Sequence, residues 1–353
     1  MFKKTNTTVN YYENKFSLLN HSNFIIKRYY LIYSIICNTK LLKVKNKIIK
    51  SIFRLRLEEF MALVLLVPML FFLIIFNDKE GFRASNIDRF LITLVVFFLF
   101  LAIIKLKDLN SLQDSKIGRW ISAMLNFLRE TLPFAFCIST YTNMHDMVHL
   151  VNPNDVDASL IAWDEYILGT QPALYFEQFI TSNLTDFMYF SYGMFLIYVL
   201  FFPFMLYAKG DMTAFRETTV SIILTFYIGY IGYVIFPAVG PKFTLSHLFE
   251  TSLTGSSVSD QISFLMDYQI SAFTRRDCFP SLHNGIILLI LLFAFKYKRS
   301  FGFLFLPFAI SLFISTLYLR YHYFVDMIAG YILAILMFLI GPKIYRWWSI
   351  MRY

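Results

Sequence analysis

Residues 278–330 read CFPSLHNGIILLILLFAFKYKRSFGFLFLPFAISLFISTLYLRYHYFVDMIAG. Two apolar runs, 282–295 and 302–319, flank the basic turn Lys296-Tyr297-Lys298-Arg299, and a third run, 323–341, begins at the end of the stretch. Working outward, similar runs occur near 60–76, 88–104, 187–207 and 218–236, with a more interrupted one near 120–140 that carries Arg129, Glu130 and Pro133. Such runs suit helices that cross a bilayer, which needs roughly 17 to 25 residues, and short period-two strands of the outer-membrane type are absent from the sequence. The composition agrees: 58% of residues are hydrophobic, 19% aromatic and only 16% charged, against about 25% charged in soluble globular chains. The expected fold class is all-α, a polytopic membrane protein with about eight transmembrane helices.

The net charge of +9 resembles that of a nucleic-acid binder, but the excess sits at one end. Residues 1–57 hold twelve Lys and Arg against one acid, Glu13. That places a basic arm beside anionic headgroups and leaves no nucleic-acid partner to expect. The run Phe24 to Cys37 is broken by Lys27 and Arg28, so it reads as interfacial, and without a clear cleavage site the N-terminus is expected to stay on the chain. Cys37, Cys137 and Cys278 are too scattered for a disulfide framework or a CxxC metal site. The expected organisation is a basic cytoplasmic arm (1–57), a first set of transmembrane helices (58–140), an acidic exterior segment (141–186) and a membrane core (187–353).

Orientation follows from the basic loops, which stay cytoplasmic. Lys105, Lys107, Lys116, Arg119 and Arg129, then Lys209 and Arg216, the 296–299 turn, and Lys343, Arg346 and Arg352 mark four such segments. Residues 130–208 contain no Lys or Arg, yet carry Asp146, Asp155, Asp157, Asp164, Glu165, Glu177 and Asp186. This stretch is expected to lie largely outside. Eight crossings satisfy every assignment and put both termini in the cytoplasm, in a bacterial-type plasma membrane.

Ionisable residues beside membrane helices are candidate functional groups. His283 opens one span and His322 another, and the chain between them crosses inward and returns, so both reach the same exocytoplasmic face. The loop 237–281 joins that face with Lys242, Arg275 and Arg276. His322 and Asp326, spaced i, i+4 at a helix start, share a face on which the carboxylate can fix the imidazole tautomer; a plain surface ion pair has the same spacing.

Taken together, FPAVGPKF (236–243), FPSLH (279–283) and HYFVD (322–326) are more specific. They resemble the type 2 phosphatidic acid phosphatase (PAP2) superfamily, and most closely its branch containing the fungal inositol phosphorylceramide synthases. The acidic segment from His145 to Pro172 is a weaker match to bacterial members of that branch. The resemblance implies a six-helix core over roughly 187–341. It implies His322 as nucleophile, Asp326 as its orienter and His283 as general acid, with Lys242 and Ser281 on the phosphate. Leu282 stands where the superfamily's general pattern has Gly, as in the synthase-like branch. Thr316 stands where that pattern has Arg, so phosphate charge falls to Lys242 and to Arg320, Arg275 or Arg276.

The implied chemistry is phosphoryl transfer through a phosphohistidine on a phospholipid or lipid phosphate, with no cofactor and no metal. Transfer of a phosphorylated headgroup between lipids is favoured over hydrolysis of phosphatidic acid or a prenyl diphosphate. Other readings stay open. His145 and His149 have the spacing of a zincin, but with Asp146 in place of Glu and no third ligand in view, so interfacial packing is the plainer reading; Asp157 and Asp164 belong to an exterior amphipathic segment, with headgroup contact as the sharper reading; Cys278 reads as a packed thiol rather than a nucleophile. A transporter or a non-enzymatic scaffold is the alternative of another class.

Overall fold

The computed structural model describes residues 52–53, 55–75, 85–107, 115–144, 148–256, 259–263 and 276–352. The chain divides into two compact units: Met1–Leu55 with Arg352, mostly outside the described residues, and Arg56–Met351 with Tyr353. Every regular element among the described residues is helical.

Among the described residues, ten longer helices carry the second unit: α1 (Leu57–Ile75), α2 (Ser85–Lys107), α3 (Lys116–Met144), α4 (Asp157–Leu168), α5 (Ser182–Gly193), α6 (Phe195–Ala208), α7 (Met212–Ile235), α8 (Leu282–Tyr297), α9 (Arg299–Tyr318) and α10 (Phe324–Arg352). Single turns at Val148–Val151, Pro172–Tyr175 and Pro241–Thr244 join them. Each of the eight expected spans coincides with helix. Among the described residues, α3, α7, α9 and α10 are long and apolar enough to cross a membrane, and α5 with α6 forms one further span bent by 42°. The bend turns five apolar runs into the six helices α5–α10. Large apolar side chains such as Phe201, Phe303, Leu304, Ile332 and Leu339 remain exposed on these helices, as a surface facing lipid rather than water requires. The protein is an integral membrane protein.

The interrupted run near 120–140 is one continuous helix, α3, with Pro133 inside it. Its charges are tolerated because they are paired. Arg129 meets Glu59 at 2.6 Å, while Glu130 accepts from Arg56 at 3.0 Å and from Arg216, which also meets Glu58 at 2.6 Å. These ion pairs fasten α1, α3 and the start of α7 to one another. A second cluster gathers Lys296, Tyr297 and Arg346 on the buried Glu217, linking α8 and α10 to α7.

Within the core, α8 packs against α6, α7 and α9. It also touches α10 backbone to backbone. A Cβ on Gly285 would lie 2.7 Å from the carbonyl oxygen of Gly330, and one on Gly330 would lie 2.3 Å from that of Ser281. Only glycine permits this approach, and it brings the first turns of the two histidine-bearing segments together.

Candidate active site

Ser281 accepts from the amide of Asn284 as the N-cap of α8, and its own amide donates to the carbonyl of Asp326 at 3.1 Å. That backbone link sets the start of α8 beside the start of α10. The rings of His283 and His322 then lie next to each other, with centroids 5.6 Å apart and planes inclined by 57°. His322 is buried, with Nδ1 3.1 Å from Oδ2 of Asp326. The same oxygen accepts from the Tyr323 amide at 3.0 Å and from the Cys278 thiol at 2.7 Å, whereas Oδ1 of Asp326 is buried with no hydrogen-bond partner.

His283 is held by aromatic rings. It stacks on Tyr192 with centroids 4.5 Å apart and lies 4.4 Å from the ring of Phe195. Tyr192 stacks in turn on Tyr321 at 4.9 Å, and the ammonium of Lys242 sits 5.0 Å from the Tyr321 centroid. The Lys242 amide donates to the Arg320 carbonyl at 2.7 Å, which fixes the turn Pro241–Thr244 against the segment carrying His322. Gly240, at φ 102°, permits this: a Cβ there would lie 2.7 Å from the Tyr321 carbonyl oxygen. One stack of rings thus connects Lys242 to His283.

The remaining residues named for phosphate are placed differently. Arg320 donates to the Thr251 carbonyl at 2.7 Å and to Glu177 at 3.3 Å, with its guanidinium 3.7 Å from the Phe249 centroid. Burial lowers its pKa, partly offset by Glu177. Arg276 forms a two-point pair with Asp155 at 2.6 and 3.1 Å. Arg275 lies outside the described residues. Ser281 is fully buried and also accepts from the Asn284 side chain at 2.8 Å. Thr316, in the place of the superfamily's Arg, is interior: its hydroxyl accepts from Asn284 at 3.0 Å, and its carbonyl accepts from the amides of Tyr321 and His322. His145 lies outside the described residues, as does the side chain of His149.

Asp157 and Asp164, placed by the sequence in an exterior amphipathic segment with headgroup contact as the sharper reading, are buried and hold backbone. Asp157 accepts from the amides of Val239 and Gly240, each at 2.9 Å, and from the Tyr323 hydroxyl at 2.8 Å. Asp164 accepts from the amides of Phe324 and Val325 at 2.8 and 2.9 Å, capping α10 from a distant part of the chain. Burial raises the Asp164 carboxyl above the ordinary range, and these two amides partly offset it. A carboxylate on orphan N–H groups at a helix start is favoured by both hydrogen bonding and the helix dipole. The two residues are seven apart on α4, hence on one face. Leu160 on the same helix packs with Ala238, Cys278 and Tyr323. The helix is therefore a clamp on both the Lys242 turn and the His322 segment. The legible signal was two acids on one helical face in a stretch with no Lys or Arg to pair them.

Cys278 is packed, as the sequence favoured. Burial, and then the charge of Asp326, push its thiol well above the ordinary range, which does not suit a nucleophile.

The fold and site define a class: helical membrane proteins with two histidines, one oriented by a carboxylate, at the ends of adjacent core helices. Within that class, the model of the PAP2 superfamily matches residues 159–340, just over half of the chain, and the chain belongs to that superfamily. The match begins inside α4, so it includes Asp164 of the clamp. The chain is 33% identical over 124 residues to a PA-phosphatase related-family protein of Dictyostelium discoideum, covering 34% of this chain and 22% of that protein. It is 32% identical over 151 residues to an inositol phosphorylceramide synthase of Candida albicans, covering 39% of this chain and 32% of that protein. The chain thus spans a third or less of the length of these relatives. No solved structure matches it significantly.

Proposed function

We propose that the protein is a membrane phosphotransferase that moves a phosphorylated headgroup between lipids through a phosphohistidine at His322. The observation that carries this reading is the proximity of His283 and His322, 5.6 Å between ring centroids, with Asp326 on Nδ1 of His322. With Nδ1–H held by Asp326, the lone pair of Nε2 attacks phosphorus, and the carboxylate balances the imidazolium that forms. His283, protonated, donates to the leaving alkoxide; as a base it then takes the proton of the acceptor that discharges His322. Lys242 meets the phosphate charge. Arg320 and Arg276 contribute only by leaving Glu177 and Asp155, and Arg275, next to Arg276 in sequence, is a further candidate.

Transfer is preferred to hydrolysis on two grounds: the Leu282 form of the motif, and similarity to a relative named as inositol phosphorylceramide synthase. Leu282 is buried where α8 crosses α7, filling the space beside Gly229. Hydrolysis of a lipid phosphate uses the same groups with water as acceptor, and the PA-phosphatase related protein supports it as the second reading. In this reading residues 1–57 form a cytoplasmic arm, 58–140 accessory helices, 141–186 an exterior segment and 187–353 the catalytic core, with the histidines on the exocytoplasmic face.

The test offers purified protein a labelled phospholipid donor, with and without ceramide, diacylglycerol or inositol. A new phosphorylated lipid that depends on the acceptor is expected. Inorganic phosphate alone, released from phosphatidic acid or prenyl diphosphate regardless of acceptor, would replace transfer by hydrolysis.

A further inference from the structure

Cys278, His322 and Asp326 bring three ligand atoms of different kinds together. Sγ is 2.7 Å from Oδ2 and 3.7 Å from Nδ1, and Nδ1 is 3.1 Å from Oδ2. All three side chains are buried. A tetrahedral zinc ion, with Zn–S of about 2.3 Å and Zn–N and Zn–O of about 2.0–2.2 Å, needs edges of roughly 3.4–3.6 Å between such atoms. The Nδ1 edges are within a few tenths of an ångström of that, and Cys278 and Asp326 must part by about 1 Å. Independently, Oδ1 of Asp326 is buried without a partner, so the carboxylate has an unused oxygen for a second contact.

We propose that these three residues form an inhibitory site for a thiophilic divalent cation such as Zn²⁺ or Cd²⁺. The charge balance favours it. With a neutral imidazole, a protonated thiol and an ionised carboxylate the cluster carries one negative charge; the cation enters, the thiol proton leaves to solvent, and the site becomes neutral. One thiolate among the ligands selects against Mg²⁺ and Ca²⁺. On the reading that His322 is the nucleophile, the consequence is direct. A metal on Nδ1 moves the ring proton to Nε2, the atom that must attack phosphorus, and Nε2–H has no lone pair to do so. Asp326 is at the same time drawn from orienting the ring to binding the metal. The cation sits on the far side of the imidazole from substrate, so inhibition is not relieved by raising substrate.

The site is tested by titrating Co²⁺ into the purified, chelator-washed protein and recording the near-ultraviolet thiolate-to-metal charge-transfer band, with turnover measured on the same samples under Zn²⁺. The wild type is expected to show the band, and Zn²⁺ to inhibit with reversal by EDTA. Mg²⁺ is expected to do neither. Cys278→Ala, judged against its own uninhibited rate, should lose the band and become at least about tenfold less sensitive to Zn²⁺. Should that variant not fold, zinc X-ray absorption on the wild type serves instead, with one sulfur scatterer at about 2.3 Å beside nitrogen and oxygen ones expected. No band, a band that survives in Cys278→Ala, or an absorption spectrum without sulfur overturns the site. A band without inhibition supports the site and counts against His322 as nucleophile.

Discussion

The amide of Ser281 donates to the carbonyl of Asp326 at 3.1 Å, so the residue two before His283 is fastened to the residue that faces His322. The contact exists because Gly330 has no side chain: a Cβ there would lie 2.3 Å from the Ser281 carbonyl oxygen. Gly330→Ala must therefore push α8 and α10 apart at the point where the two histidines meet. We expect turnover to fall by about 100-fold, the scale of a 1 Å misplacement, with the variant still eluting as a folded, detergent-soluble protein. Unchanged turnover would show that the backbone contact does not set the histidine spacing.

Groups that act as one unit fail together. His322→Ala and His283→Ala should each abolish turnover, and Asp326→Asn should lower it strongly while the protein remains in the membrane. Among the cations, Lys242→Ala should lower turnover much more than Arg276→Ala, because Arg276 is held by Asp155. Steady-state rates on the five variants check this, and near wild-type activity in His322→Ala removes the mechanism.

Asp164 tests the clamp. Asp164→Ala leaves the Phe324 and Val325 amides without their partner, at about 1–3 kcal/mol for each buried orphan group. A lower unfolding temperature is expected together with a fall in kcat that exceeds any rise in KM, since the start of α10 carries the orienter of His322. Asp164→Asn, which keeps one acceptor oxygen, should recover part of both. A variant that unfolds earlier with kcat intact would leave Asp164 a purely structural cap.

Orientation is open to chemical labelling. In a cysteine-free background, single cysteines at Asn154 and Ser256 should react with an impermeant maleimide from outside, and one at Ser300 only after the cytoplasmic face is opened. The reverse pattern would place the histidines in the cytoplasm and change the lipid pool they meet.

The parts of the site that are legible in sequence are those with local spacing. His322 and Asp326 pair at i, i+4, and the even number of crossings between His283 and His322 returns them to one face. The helical character of 120–140 was also legible, although what tolerates Arg129 and Glu130 was not. Their partners Glu59, Arg56 and Arg216 come from α1, the residue before it and the first turn of α7, and no local pattern specifies such pairings. The hydrogen-bond partners of Asp157 and Asp164 were hidden for a similar reason. Acids in a segment without basic residues read as solvated, but a carboxylate can be satisfied by main-chain amides, which have no signature in sequence. Arg320 and Arg276 looked available for phosphate because Glu177 and Asp155, more than a hundred residues earlier, gave no sign of reaching them.

The phosphohistidine itself gives the most direct measurement. Purified protein is mixed with a donor lipid labelled in its phosphate, quenched within a single turnover at alkaline pH, where phosphohistidine survives, and digested for mass spectrometry. The account predicts label on the peptide containing His322, lost on mild acid treatment, absent in His322→Ala, and discharged to new lipid when an acceptor alcohol is added. Label on another residue, or full turnover in His322→Ala with no labelled protein, would contradict it.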